Sequence, residues 1–401
     1  MSRYDAIVVG ARCAGSPTAM LLARRGHRVL LVDKAKFPSD TLSTHLVHPP
    51  GVAALRRWGL LDALDATGCP PITTYSYDFG PVTISGTPAP SDGAAAAYCP
   101  RRTILDKLLI DAASEAGAEV REGFAVNEVV FDDGHVAGVR GRDQHGKSVA
   151  ELARCVIGAD GRHSLVAKAV RPDQYLDKGM LGAGYYAYWS GLPTAGLMFF
   201  IRPCRAFGMF PTNAGLTLVF AAWPRAEFHQ HRRDIEGAFM TTLALEPAFA
   251  ERVLAGTREE RFRGGSVENF LRRPFGPGWA LVGDAGYNKD PCTAFGITDA
   301  FLDAERCAAA LHQALSGSRS FDDAMAEYQR TRDEHALPMY DFTCKLATLE
   351  PPPPELQQLL GAAHDNQDAM DGFVSMMAGT LPVPEFFSAA NAQRIMAASA
   401  R

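Results

Sequence analysis

The sequence lacks a run of about 18 apolar residues free of charge, the minimum for a helix that buries itself across a bilayer, so no membrane span is expected. It lacks a long basic tract. With a formal net charge of −5, the attraction that drives nucleic-acid binding is missing, and no nucleic-acid partner is expected. The opening residues, MSRYDAIVVG, carry no basic region, apolar core or cleavage site of a secretion signal, so a cytoplasmic location is expected. None of the eight cysteines stands in a CxxC pair. Without paired ligand spacing no metal site is expected, and reduced, mostly buried thiols are the reading for the set. Internal repeats are absent as well.

What is present is a chain of 401 residues, enough for two or three domains with cores of their own. YDAIVV at Tyr4–Val9 reads as a buried strand. Glycines follow, then a helical pattern through Ala19, Leu22 and Ala23, then HRVLLVD as a second buried strand. Strand, glycine turn, helix, strand is one βαβ unit with parallel pairing. Gly51 to Leu64 predicts one amphipathic helix and Thr103 to Ala116 another. Val126 to Val139, with DDG at Asp132 to Gly134, predicts a hairpin. Ala153–Gly158 and Trp279–Gly283 read as buried strands. From Gly182 to Trp223 aromatics cluster between short-spaced turns, which predicts an antiparallel sheet with one packed face and one face toward a cavity. A helix is expected around Arg233 to Leu245 and a long one from Ile297 to Leu315. The last eighty or so residues read as mainly helical, interrupted by the stiff tract Pro351–Pro354.

Three motifs carry chemistry. The first is Gly10-Ala11-Arg12-Cys13-Ala14-Gly15, at the turn from strand to helix where a dinucleotide fingerprint belongs. Gly10 suits a tight turn and Gly15 close helix packing; the helix N-terminus offers free N–H groups to a pyrophosphate. Arg12 stands where the middle glycine is usual, and its guanidinium can neutralise phosphate. Asp33 ends the second strand, followed by Lys34, where a carboxylate accepts hydrogen bonds from ribose hydroxyls. The second motif is Gly158-Ala159-Asp160-Gly161-Arg162-His163-Ser164. The third is Gly283-Asp284-Ala285-Gly286, continued by Pro291 and Gly296-Ile297-Thr298-Asp299-Ala300. Cys13 and Cys292 lie inside motifs and are read as cofactor neighbours.

This ordered trio, over about the first 330 residues, resembles the flavoprotein monooxygenases of the p-hydroxybenzoate hydroxylase type. Their superfamily also holds flavin-dependent halogenases and geranylgeranyl reductases. The resemblance implies an α/β fold: an FAD-binding Rossmann-type domain with an inserted, mainly antiparallel β-sheet substrate domain and a helical C-terminal region. The FAD-binding domain is expected in parts at 1–73, 98–176 and 267–330, the substrate domain at 74–97 and 177–266, and the helical region at 331–401.

It also implies roles. Asp284 binds a ribityl hydroxyl of FAD, Pro291 lies near the flavin's reacting face, and Gly296 and Ile297 open a helix facing the flavin N1–C2 region. Arg102, ahead of Leu105 and Leu109, reaches the FAD phosphates or ribose, with Arg101 able to take that role instead. Val126 meets the adenine through its backbone. Asp160 lies near the nicotinamide access or simply caps a helix. Tyr287, Thr293 and Thr298 depart from the family's histidine, glycine and asparagine.

The expected reaction is hydroxylation or epoxidation of an aromatic or polycyclic small molecule of secondary metabolism. Reduced flavin and O2 form a hydroperoxide in a dry pocket, with NADH or NADPH as transient reductant. Pocket candidates are His45, Tyr186, Trp189, Phe207, Phe210, Tyr287 and Pro291; for each aromatic the alternative is core packing, and for His45, beside Ser43 and Thr44, a satisfied surface histidine. Phe207-Gly208-Met209-Phe210-Pro211 keeps a family spacing but lacks its tryptophans. This argues against a halogenase and leaves open a reductase of C=C bonds. The chain is expected to act as a monomer or homodimer.

Overall fold

The strand Tyr4–Val9 is almost wholly buried, as an apolar run covered on both faces must be. In the computed structural model, which describes residues 4–399, it lies inside a sheet. It pairs in parallel with Val29–Asp33 on one side and with the end of Ser148–Gly158 on the other. Glu119–Glu122 and Trp279–Leu281 extend the parallel array at either flank, and Phe275–Gly276 folds back antiparallel at one edge. Side-chain alternation divides this sheet's two faces. Ala6, Val8 and Leu31 pack with Ala19, Leu105 and Phe301 of the helices Gly15–Ala23, Arg102–Glu115 and Gly296–Ser316. Ile7, Val9 and Leu30 face Phe124, Val129, Val139 and Val166. The expected hairpin is Ala125–Asp132 with His135–Arg142. Its turn residues Asp133 and Gly134 have φ of 46° and 77°, the two left-handed conformations of a type I′ turn.

The helix expected over Gly51 to Leu64 forms as two, Pro49–Trp58 and Leu61–Asp65. Gly59, at φ 77°, ends the first in a left-handed cap that the amphipathic pattern runs straight through.

The aromatic segment forms an eight-stranded sheet. Its order is Thr257–Arg258, Gly182–Ser190, Thr217–Pro224, Arg205–Pro211, Leu197–Arg202, Tyr75–Asp78 and Thr83–Gly86, with Arg263–Gly265 also on Gly182–Ser190. All pairs are antiparallel except Leu197–Arg202 with Tyr75–Asp78. One face carries Trp189, Phe207, Val219 and Trp223 and is covered by Phe239 and Phe249 of the helices Ile235–Leu243 and Pro247–Ala255. The opposite face carries Tyr186, Tyr188, Phe210 and Leu218, and against it pack Phe373, Met376 and Phe386 from the C-terminal helices.

Those helices, Pro354–His364, Gln367–Met377, Val383–Phe386 and Ala389–Ser399, follow the long helix Phe321–Ala347. They are also tied to the chain just past the edge strand Thr83–Gly86: Asp371 accepts from the Thr87 N–H at 2.9 Å and Ser375 Oγ from the Ala89 N–H at 2.9 Å. An otherwise open edge is thereby covered. Among the described residues no helix is long and apolar enough to cross a membrane, and no group of three or more His, Cys, Asp or Glu could hold a metal ion.

Candidate active site

The turn after the first strand tolerates only glycine at two points. Gly10 has φ 103°, and a Cβ there would lie 2.4 Å from the Ala159 carbonyl oxygen; on Gly15 it would lie 1.8 Å from the Gly10 carbonyl oxygen. With no side chains in the way, the helix Gly15–Ala23 starts hard against the strand end, with the positive end of its dipole at the turn. Asp33 is tied to this turn. Its Oδ2 accepts from the Ala11 N–H at 2.8 Å and its Oδ1 from the Ala35 N–H at 2.8 Å. Lys34 beside it is exposed and Ala14 is buried.

Arg12 does not block the turn, because its side chain folds aside. Nη1 donates to Asp106 at 2.5 Å and to the Ser39 carbonyl at 3.2 Å, and Nη2 donates to Ser39 Oγ at 2.9 Å. The same Asp106, wholly buried, accepts from Arg102 Nε at 3.0 Å and Nη2 at 2.9 Å. Two guanidinium groups on one carboxylate leave one net positive charge beside a helix N-terminus, which favours an anion. Arg101 turns elsewhere. Its guanidinium lies 3.9 Å from the Tyr188 ring centroid and pairs with Glu260 at 2.7 Å.

The later motif meets the first: a Cβ on Gly283, which has φ 60°, would touch Ala14 at 2.8 Å. Next in the chain is Asp284, an exposed residue between buried Gly283 and Ala285. Although exposed, it is enclosed deeply enough that burial pushes its carboxyl up to about 6, against the opposing pull of Arg102. Open to solvent yet surrounded by protein, this carboxylate lies at the floor of a cleft. Pro291 and Gly296 are also exposed within a buried run, while Ile297 is buried. A Cβ on Gly296 would meet no protein atom within 4 Å. The helix Gly296–Ser316 therefore begins facing open space, with its first-turn N–H groups unmatched by carbonyls of its own.

Cationic turn, strand-end carboxylates, open carboxylate and bare helix terminus fit the pyrophosphate, hydroxyls and ring system of FAD. Behind the cleft, Lys289 and Asp299 form a buried ion pair, and Lys289 Nζ donates to Tyr287 Oη at 2.5 Å. Burial pushes the Asp290 carboxyl up to about 6. No sequence signal marks the Lys289–Asp299 pair, because each residue alone reads as a surface charge.

The other expected residues fall in different places. Asp160 accepts from the Leu165 N–H at 2.6 Å, the first residue of the helix Leu165–Val170, which Ser164 caps through the Ala167 N–H at 3.0 Å. Val126 is half-buried in the hairpin, opposite Gly141. Tyr186 and Phe210 lie on the face of the large sheet that the C-terminal helices cover, and His45 is buried against Tyr186 and Tyr188. Trp189 and Phe207 are not on that face: strand alternation sends them to the far face, where Trp189 stacks on Phe239 and Phe207 on Phe200. Tyr287 is likewise no wall of that face; it packs behind with Leu271 and Tyr340. Tyr188, not singled out by sequence, is the residue that joins the group, its hydroxyl 2.5 Å from His45 Nε2. Burial, with Arg102 and Arg101 adding to it, holds that imidazole well below the usual histidine range, so it is neutral.

Comparison with known proteins identifies a family for the chain. The family described as FAD binding domain matches residues 3–343. The tryptophan 2-halogenase of Chondromyces crocatus is 26% identical over 97% of this chain and 78% of its own length. The digeranylgeranylglycerophospholipid reductase of Methanocella arvoryzae is 27% identical over 75% of each chain. The structure of the myxobacterial chondrochloren halogenase, an FAD-dependent halogenase, superposes with a TM-score of 0.80 at 22% identity, covering 100% of this chain and 97% of that one. At that identity the likeness speaks for the fold alone.

Proposed function

The chain belongs to the FAD binding domain family, a superfamily of FAD-dependent oxidoreductases, and on that premise we propose that it is a monooxygenase. It hydroxylates or epoxidises an aromatic or polycyclic small molecule, with NADH or NADPH as transient reductant and O2 as co-substrate. FAD, when bound, supplies the redox chemistry that couples nicotinamide oxidation to oxygen or to a carbon–carbon double bond.

The protein's share is binding, orientation and exclusion of water. Gly10 to Gly15, with Arg12 and Arg102, would hold the pyrophosphate, Asp33 and Lys34 the adenosine ribose, and Asp284 a ribityl hydroxyl. The N–H groups at Gly296 and Ile297 would face the electron-accepting edge of the flavin ring, where they favour negative charge. Pro291 would border its reacting face. The observation that carries the reading is the open carboxylate of Asp284, set in a cleft beside a Gly296 whose Cβ direction is empty of protein. On the substrate side, Tyr186 and Phe210 would offer an aromatic wall that keeps water from the reacting atoms.

A second reading, reduction of C=C bonds, is favoured by the reductase relative. One experiment separates the two. Flavin-loaded protein is given NADPH or NADH and a panel of polycyclic aromatics, with and without 18O-labelled oxygen. Labelled oxygen in the product supports the monooxygenase. Anaerobic turnover to a saturated product overturns it in favour of the reductase.

A further inference from the structure

The ion pair of Lys289 and Asp299 has no part in the chemistry described above, yet its side chains are only 4% and 10% exposed. A buried pair of this kind is a poor device for stability, because taking two charges out of water costs about as much as their attraction returns. Its position is more informative than its energy. Asp299 lies in the first turn of the helix Gly296–Ser316, the helix whose start faces open space. Its N–H is bonded to the Phe295 carbonyl at 2.8 Å, so regular helix fixes where the carboxylate stands.

The positive end of a helix dipole amounts to about half a unit charge, and a carboxylate in the first turn more than cancels it. With Asp299 alone, the terminus at Gly296 would present a negative field to the cleft. Lys289 restores the sign. Its ammonium pairs with Asp299 and lies 5.3 Å from the ring centroid of Phe295, the residue just before the helix. Tyr287 steadies that ammonium: its Oη accepts from Lys289 Nζ at 2.5 Å. The neighbouring ions are engaged elsewhere, Asp303 facing Arg306 at 4.0 Å and Arg332 pairing with Asp333 at 2.8 Å. The field of the pair reaches the cleft floor. At the Asp284 carboxyl, where burial is the main influence and Arg102 the next, Asp299 acts upward on the pKa and Lys289 downward.

We propose that Lys289 is a positioning residue that sets the charge at the cofactor cleft: by neutralising Asp299 it keeps the helix terminus at Gly296 positive, and so favours the electron-rich, reduced form of the flavin. This rests on the oxidoreductase reading, since it is the flavin that would meet that terminus.

The test is the midpoint potential of the flavin-loaded full chain at pH 8, read against a redox dye of known potential during slow anaerobic reduction with dithionite, with no substrate and no turnover. Lys289→Met leaves Asp299 without its counter-charge. At the native midpoint its ratio of reduced to oxidised flavin is expected to fall roughly tenfold, the worth of one uncompensated charge at about 10 Å inside a protein. Asp299→Asn leaves the ammonium uncompensated and is expected to raise that ratio by a similar factor. The double variant Lys289→Met, Asp299→Asn is expected to return close to the native potential. A merely structural role would move both single variants the same way, and the second substitution would not restore the first. Shifts of one sign in both single variants, no shift in either, a double variant displaced as far as a single one, or loss of flavin uptake in both single variants overturns the proposal. Where Lys289→Met alone takes up no flavin, the direction of the Asp299→Asn shift decides. A native chain that takes up no flavin overturns the oxidoreductase reading as well, so the two failures are distinguishable.

Discussion

Nη1 of Arg12 lies 2.5 Å from Oδ2 of Asp106, a contact between residues 94 positions apart in sequence. It explains how a fingerprint turn accommodates arginine at the usual middle-glycine position: the side chain leaves the turn to share a buried carboxylate with Arg102. Replacing Asp106 by alanine strands Arg102, which is only 8% exposed, without its partner. Loss of one member of a buried ion pair costs about 3–5 kcal/mol. Asp106→Ala is therefore expected to unfold at markedly lower denaturant concentration than the native chain, whereas Asp106→Asn, which still accepts hydrogen bonds, loses less. Guanidinium titration followed by circular dichroism checks both. Equal midpoints for Asp106→Ala and native protein would contradict the account.

That pair also shows where sequence reasoning stops. Gly10, Gly15 and Asp33 were legible because a tight turn, a close helix and a strand-end carboxylate each demand one residue type at one spacing. Asp284, Pro291, Gly296 and Ile297 were singled out through the family resemblance alone. The Asp106 bridge was not, since nothing local in the helix Arg102–Glu115 marks which carboxylate faces inward toward a turn so distant in sequence. The large sheet was legible as alternating aromatics, but alternation defines two faces without saying what covers each. Hence Trp189 and Phe207 fall on the far side with Phe239 and Phe249, and Tyr188 joins His45. The break at Gly59 was hidden because the apolar pattern continues across it. The role of the C-terminal helices as cover for Tyr186 and Phe210 depends on tertiary contacts alone.

Two glycines make opposite predictions. Gly15→Ala places a methyl carbon 1.8 Å from the Gly10 backbone carbonyl oxygen and 3.0 Å from the Ala159 Cβ, so the turn cannot form undistorted. Soluble yield and thermal stability are expected to collapse. Gly296→Ala meets no protein atom within 4 Å. Its apoprotein is expected to be as stable as native or slightly more so, since alanine is the better helix former by about 1 kcal/mol. Its FAD affinity is expected to fall at least tenfold, because the methyl group enters the space assigned to the flavin. A stable Gly296→Ala protein with native FAD affinity would remove that assignment. Thermal melts of the apoproteins and flavin titrations supply both readouts.

The carboxyl of Asp284 is raised to about 6, by burial first. It accepts hydrogen bonds from a ribityl diol best as the anion. FAD affinity is therefore expected to be full above pH 7 and to weaken as pH falls through about 6, where the carboxylate takes up a proton. Asp284→Asn is expected to bind FAD more weakly at pH 7.5 and to lose this pH dependence. Fluorescence titration with FAD from pH 5 to pH 8 tests it; an unchanged pH profile in the variant would exclude Asp284 as the group responsible.

Asp303, 3% exposed, is raised to about 6 by burial, against the opposing charge of Arg332. An unfolded aspartate titrates near 4. Between these values the folded chain binds the extra proton, so the contribution is present at low pH and is lost as pH rises through about 6. At 1.36 kcal/mol per unit, its size is on the order of 2–3 kcal/mol. Asp303→Asn is expected to flatten the fall in apoprotein stability between pH 4 and pH 7 by that order. Denaturant midpoints measured across this range provide the check, and parallel curves for variant and native protein would contradict it.

The central claim is that the Gly10–Gly15 turn and the Asp284–Ile297 segment grip one FAD molecule between them. Its most direct measurement is the visible spectrum of the native chain after incubation with excess FAD and removal of the unbound fraction. The account predicts a visible flavin absorbance band corresponding to one flavin per chain, and its absence from an Asp284→Ala, Arg102→Ala double variant that remains folded. A native protein that emerges colourless, or a folded double variant that stays fully yellow, would contradict it.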